Sequence, residues 1–221
     1  MKSILAVFQK DLLIERRAAS RTVALCSFAA ILLLILSFAI GADSTALRHA
    51  AAYVWIGVLL SSTMLLERSF RLEVEAGALH SLMLGPVAPV AIFFGKALAN
   101  AVQLLLLAVL TLPLVVVFCD ATFEGDIVVL VLTLILGCAG LAAPGTLYAA
   151  MIARLQGRQL MLPLLLFPLV VPVLVAAVKA TSLAMLGDPM DQAEGWLMLL
   201  ACFNLVYWSL SGALFGRVLE T

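Results

Sequence analysis

Six apolar segments, at roughly 22–42, 48–66, 98–119, 127–151, 159–181 and 196–216, decide what this chain can fold into. Each reaches or approaches the ~20 residues a helix needs to cross a ~30 Å hydrocarbon core. Within lipid, a backbone satisfies its own hydrogen bonds only as a helix or a closed barrel. A barrel would show alternating strands of ~10 residues, and none occur, so every span is expected to be helical. Of the 221 residues, 65% are hydrophobic and 12% charged. A soluble domain carries about 25% charge, and no soluble domain of useful size remains between the spans. The expected fold class is all-α, a single polytopic transmembrane domain covering 1–221.

The N-terminal stretch "MKSILAVFQKDLLIERRAASR" carries both charge signs ahead of the first apolar run. A secretory signal would instead show a short basic region and a compact apolar core of ~7–15 residues, so the first span reads as uncleaved. Within 1–21, Ile4, Leu5, Phe8, Leu12 and Leu13 recur at helical spacing opposite Lys2, Gln9, Lys10, Arg16 and Arg17. That pattern predicts an amphipathic helix lying along the lipid surface. It serves either as an anchor or as a lever joined to the first span.

Orientation follows from the placement of charge, because the net charge is zero. With the N-terminus inside, Lys2, Lys10, Arg16, Arg17, Arg21, Arg68, Arg71, Lys96, Arg154, Arg158 and Arg217 are cytoplasmic, and only Arg48 and Lys179 lie outside. That is a positive-inside bias. It places both termini in the cytoplasm of a multi-pass protein. The outer loops instead collect Asp43, Asp120, Glu124, Asp126, Asp188, Asp191 and Glu194.

Most chemistry is missing from the sequence. There is no GxxxxGK[ST] loop to cradle ATP phosphates, no HExxH zinc helix and no GxSxG nucleophile elbow. Cys26, Cys119, Cys138 and Cys202 are scattered without a CxxC pair, which suits small apolar packing residues rather than a metal site. No catalytic residues, bound metal or nucleic-acid partner are expected. Of the two histidines, His49 stands beside Arg48 at the outer end of the second span and is a weak haem-ligand candidate; His80 lies on the cytoplasmic side. Lys96, Asn100 and Gln103 form one helical stripe entering the third span, with Lys96 near enough to the surface to snorkel. Carboxylates deep in the spans, which a proton-coupled carrier would need, are not seen.

Two apolar segments depart from a plain span. "QLMLPLLLFPLVVPVLVAAVKATSLAML", 159–186, would make about 42 Å of helix at ~1.5 Å per residue. Pro163, Pro168 and Pro172 each remove a backbone donor. The expectation is a segment that breaks, either as a kinked structural helix or as a moving part of a pathway. "GLAAPGTLYAA", 140–150, offers small residues for close helix packing, or a flexible gate at Pro144 and Gly145.

The most unusual stretch is "ERSFRLEVEAGALHSLMLGP", 67–86. At a helix centre each charge costs ~2.5–3.5 kcal/mol, so Glu67, Arg68, Arg71, Glu73 and Glu75 belong in water or against protein. Phe70 pairs with Val74, and Arg71 with Glu75, at i,i+4, which continues the second span as a cytoplasmic helix. Gly77 is a natural stop. Beyond it Leu79, Leu82 and Met83 gather on one face of a short helix, suited to a groove on a partner.

The run "LLERSFRLEVEAGALHSLMLGPVAPVAIFFGK" resembles the cytochrome c maturation protein B family, the haem-exporter permeases. Glu67, Arg68, Phe70, Arg71, Glu75, Gly77, Leu82, Pro86 and Lys96 occupy the family's positions. "AAPGTL" (142–147) and "LPLLLFPLVVPVL" (162–174) resemble its two other marked stretches. The resemblance implies the fold of ABC-2 type exporter permeases and a subunit of an ABC-type complex in the bacterial inner membrane. It implies a partner ATPase binding ATP and Mg, a second copy of the chain, haem-handling membrane proteins and a periplasmic haem chaperone. In that setting 67–86 is the coupling segment, with Glu67, Arg68, Phe70, Arg71, Glu73, Glu75, Gly77, Leu79, Leu82 and Met83 docking the ATPase. No cofactor is expected on this chain itself. ATP hydrolysis would drive either haem export or release of the haem-loaded chaperone. Rival expectations are a permease for a lipid or drug, and an ATP-independent scaffold for haem-handling proteins.

Overall fold

Helices in lipid associate through shape and buried polar contacts rather than by hiding apolar surface from water, so close approaches between them define this fold. The computed structural model describes residues 2–17, 19–40, 44–75, 88–119, 125–153 and 161–220. Among them run seven helices and no strand: α1 Lys2–Arg17, α2 Ala19–Ile40, α3 Ser44–Glu75, α4 Pro89–Cys119, α5 Ile127–Ala153, α6 Met161–Leu186 and α7 Ala193–Glu220. Five carry segments long and apolar enough to cross a membrane: His49–Arg71, Pro89–Phe118, Ile127–Ala153, Met161–Leu186 and Ala193–Val218. In α2 the apolar stretch is the shorter Thr22–Phe38. Large side chains such as Ile35, Phe38, Val117, Leu164 and Leu205 point outward. This is a multi-pass membrane protein.

The centre is α5, which packs against α3, α4, α6 and α7. From Gly140 to Leu147 every residue is buried, as the small-residue stretch predicts for helix packing. The indole of Trp55 on α3 lies across Gly137, and Leu66 lies across Gly145. Several polar groups inside the bundle are paired across helices. Trp55 Nε1 donates to Thr181 Oγ1 on α6 at 2.9 Å. From α7, Asn204 Nδ2 donates to the Leu136 carbonyl at 2.8 Å and Trp208 Nε1 to that of Ala139 at 3.2 Å. Cys138 is buried within α5, in keeping with a packing role.

The helix α6 corrects one expectation, for it runs unbroken from Met161 to Leu186. Pro163 falls in the first turn, where the missing N–H has no intrahelical acceptor to lose. Pro168 and Pro172 sit four residues apart and both are exposed. Leu162, Leu166, Val170, Val173 and Ala177 are buried among the other helices. Packing along that face holds the helix through the two forfeited hydrogen bonds. The helix ends at Gly187, whose φ of 88° is the left-handed turn that glycine takes at little cost.

Two of the acidic loop residues cap helices. Asp126 Oδ1 accepts from the Val128 amide at 2.8 Å at the start of α5, an N-cap contact. Asp188 Oδ2 accepts from the Ala193 amide at 2.7 Å where α7 begins. Backbone amides of Ala193 and Gln192 hold the Asp188 carboxyl below its ordinary value. Stability from this contact is therefore present above the ordinary carboxylate range and is lost as pH falls through the lowered value.

Candidate functional site

The polar stripe on α4 leads to the site. Lys96, which snorkelling would send outward, is 1% exposed. Its Nζ donates to Asp11 Oδ2 on α1 at 3.2 Å and to the Ser69 carbonyl on α3 at 3.0 Å. It also stands 4.7 Å from the centroid of the Phe70 ring. The snorkelling expectation fails because α1 covers this part of α4. A Cβ on Gly95 would meet Val7 Cβ at 2.7 Å, so only glycine lets the two helices come so close. An ammonium enclosed in this way needs partners for its protons, and a carboxylate, a carbonyl and an aromatic face supply them.

The other two members of the stripe also face inward. Asn100 Nδ2 donates to Thr146 Oγ1 on α5 at 2.9 Å, with both residues buried. Gln103 lines a cavity of about 230 Å³ together with Asp11, Glu15, Arg68 and Ser69. Thr22 Oγ1 donates to Glu15 Oε1 at 3.3 Å, linking α1 to the start of α2. Asp11 Oδ1 also meets Lys10 Nζ at 3.2 Å. Four helices thus meet in one polar junction at the charged end of α3. Through these contacts Ser69–Phe70 of α3 is joined directly to α4, and by way of Lys96 and Asp11 to α1.

Comparison with known proteins agrees with the resemblance drawn from the motifs. The profile of the family described as CcmB protein matches residues 2–220. The chain belongs to the CcmB family. It is 33% identical over 171 residues to Heme exporter protein B of Rhodobacter capsulatus, covering 77% of this chain and 78% of that one. Heme exporter protein B of Pseudomonas aeruginosa is 31% identical over 179 residues, 80% of each chain. For Heme exporter protein B of Paracoccus denitrificans the figures are 30% over 211 residues and 93% of each.

In this CcmB-family chain the residues expected to dock a partner divide by position. The helix α3 continues unbroken through Glu67, Arg68, Phe70, Arg71, Glu73 and Glu75, as the i,i+4 pairs predict. Glu67 and Arg68 are half-buried and Arg71 is exposed. Phe70 is fully buried, its ring 6.2 Å from Phe215 on α7, so it fastens the extension to the bundle. Phe215 in turn lies 5.4 Å from Phe93 on α4. Gly77, Leu79, Leu82 and Met83 lie outside the described residues. Pro144 and Gly145 neighbour Thr146, the partner of Asn100, whereas Pro163, Pro168 and Pro172 stand apart on α6. His49 is exposed at the opposite end of α3, its ring 6.4 Å from that of Tyr53. No group of three or more metal-ligating side chains occurs among the described residues.

Sequence reasoning missed Asp11 and Ser69. A signal for Asp11 was present, since a lysine inside an apolar helix calls for a carboxylate partner and residues 1–21 hold only Asp11 and Glu15. Ser69 contributes its carbonyl, which no side-chain pattern reveals.

Proposed function

We propose that this chain is the membrane subunit of an ABC-type haem-handling complex of the bacterial inner membrane, as its family membership suggests. In this reading α2 to α7 are six spans, both termini are cytoplasmic, and α1 lies at the cytoplasmic surface. At ~1.5 Å per residue the 22 residues of α2 reach about 33 Å, enough for a ~30 Å core. The permease is non-catalytic and pairs with a second copy, as ABC-2 type permeases do. A separate ATPase docks at Glu67–Met83, and haem-handling membrane proteins and a periplasmic haem chaperone join the complex. ATP hydrolysis releases the haem-loaded chaperone, because no deep haem-ligand cluster occurs among the described residues to carry haem through the spans.

The observation that carries the coupling role is α3 itself. Its 32 residues give about 48 Å of uninterrupted helix, well beyond the ~30 Å hydrocarbon core. Force applied to the charged end reaches the spans without a joint, and Lys96 passes it to α1 and α4. Pro144 and Gly145 on α5 and the prolines of α6 are where the bundle would yield. The test is purification with the ATPase, reading ATP turnover and chaperone release. Leu82→Asp and Gly77→Pro are expected to abolish both while membrane insertion stays intact. Normal coupling in both variants would reject the docking role.

A further inference from the structure

Asn204, Trp208 and Phe215 follow one another at helical spacing on α7, which puts them on one stripe of the helix. At one end of the stripe Phe215 is fully buried, its ring 6.2 Å from that of Phe70 on α3 and 5.4 Å from that of Phe93 on α4. Phe93 meets the Trp208 indole edge to face at 6.3 Å, and Phe94 stacks on the same indole at 5.9 Å. All of these are attractive aromatic spacings. The rings therefore run from contact to contact between the charged end of α3, where Phe70 faces Lys96, and Trp208. A close-packed interior transmits strain because it compresses so little.

The other end of the stripe is fastened to α5. The Trp208 Nε1 proton is shared between the Ala139 carbonyl at 3.2 Å and Asn204 Oδ1 at 3.1 Å. Asn204 Nδ2 donates to the carbonyls of Leu136 and Leu200, each at 2.8 Å. Both polar atoms of the amide and the indole N–H are thus engaged. Leu136 and Ala139 lie in the roughly two turns of α5 ahead of Pro144, which has no N–H to offer the Gly140 carbonyl. So α7 grips α5 just before the point where its hydrogen-bond ladder is interrupted.

We propose that Asn204 and Trp208 are positioning residues for α5, and that the column Phe70–Phe215–Phe93–Trp208 ties their grip to the charged end of α3. Its bearing on transport rests on the coupling role given under the proposed function, for which it supplies a route from α3 to the region of Pro144. Packed chains of this kind carry coupling between separated sites only where both ends bias the same element, here α5. A shorter route competes with it, because Leu66 of α3 lies against Gly145.

The test is fluorine NMR of the full chain in detergent after labelling with fluorotryptophan. Trp55, Trp196 and Trp208 are the three tryptophans, and Trp208→Phe assigns its own resonance. Phe70→Leu is expected to shift the Trp208 resonance while leaving Trp196, about 18 Å away along α7, in place. If Phe70→Leu disturbs all three resonances, Phe70→Met takes its place. In a Phe215→Leu background the response of Trp208 to the Phe70 change should vanish. A Trp208 resonance that ignores Phe70, or a response that survives Phe215→Leu, would overturn the column, the latter because the contact of Leu66 with Gly145 would then carry the signal. For the grip, Trp208→Phe keeps a ring but loses the N–H, and hydrogen exchange over 136–147 should rise about threefold, what one hydrogen bond between membrane helices is typically worth. Unchanged exchange would remove the positioning role. No ATPase enters either measurement, so failure here leaves the docking role standing, and normal coupling in Leu82→Asp and Gly77→Pro would leave the column standing.

Discussion

Asp11→Ala is expected to destabilise the protein by about 3 kcal/mol, the low end of the range for removing one partner of a buried ion pair. The low end applies because Asp11 keeps 11% of its side chain exposed, and water reaches that side of the contact. Lys96 does not share this relief. Its ammonium would lose the Asp11 carboxylate while remaining beside the Ser69 carbonyl and the Phe70 ring, among its other contacts, in a site closed by the α1–α4 contact at Gly95. Lys96→Met should cost far less, within about 1 kcal/mol, because an apolar side chain of similar length removes the demand for a counter-charge. Asp11 would retain Lys10 at 3.2 Å. The double variant Asp11→Ala/Lys96→Met should therefore be more stable than Asp11→Ala alone. Thermal unfolding in detergent ranks the three, and proteolysis within 2–17 reports whether α1 has come loose. Equal stability of Asp11→Ala and wild type would remove the ion pair from the energetics, and a greater loss in Lys96→Met than in Asp11→Ala would reverse the assignment of cost. If Lys96→Met keeps its stability but loses ATPase coupling, the junction transmits force as well as holding the helices together.

The same residues show how far the fold can be read from the chain. Membrane spans are legible because a run of apolar residues has one stable solution in lipid, and the helical continuation through Glu75 is legible because i,i+4 spacing is local. The path of Lys96 is not local. Whether a lysine near a span end snorkels or turns inward depends on what covers it, and here the cover is a helix 85 residues away in sequence. The break expected within 159–186 does not occur, for a related reason. A proline's cost in isolation is local, but its tolerance depends on packing along the rest of the helix, which no pattern within 159–186 reveals. The caps at Asp126 and Asp188 read in sequence only as outer acidic charge, although Asp is a preferred N-cap residue. Asn100 was visible as part of a stripe, yet its partner Thr146 lies on another helix, and only the assembled bundle joins them.

Gly137→Ala tests the tightest of these close approaches and is expected to destabilise by about 2 kcal/mol, against the usual direction for the substitution. In an exposed helix interior Gly→Ala stabilises by about 1 kcal/mol. At Gly137 the new methyl would press into the Trp55 ring, meeting Cη2 and also Cζ3, the latter at 2.8 Å. The indole has nowhere to retreat, since it is 1% exposed and its Nε1 is tied to Thr181 at 2.9 Å. Overpacking of this kind costs typically about 1–3 kcal/mol, and the rigid, tethered ring places it at the upper end. Trp55→Phe removes the part of the ring that the methyl strikes. On its own it should destabilise, through the lost hydrogen bond and the space left behind. In that background Gly137→Ala should become neutral or stabilising, by up to about 1 kcal/mol, as the helix-propensity gain is no longer opposed. A double-mutant cycle by thermal unfolding reads this change of sign. If Gly137→Ala destabilises equally in both backgrounds, the contact between Trp55 and α5 does not set the spacing of α3 and α5. The change of sign would locate that spacing in a single ring against a single glycine, where α3, the helix on which the coupling role rests, meets the centre of the bundle.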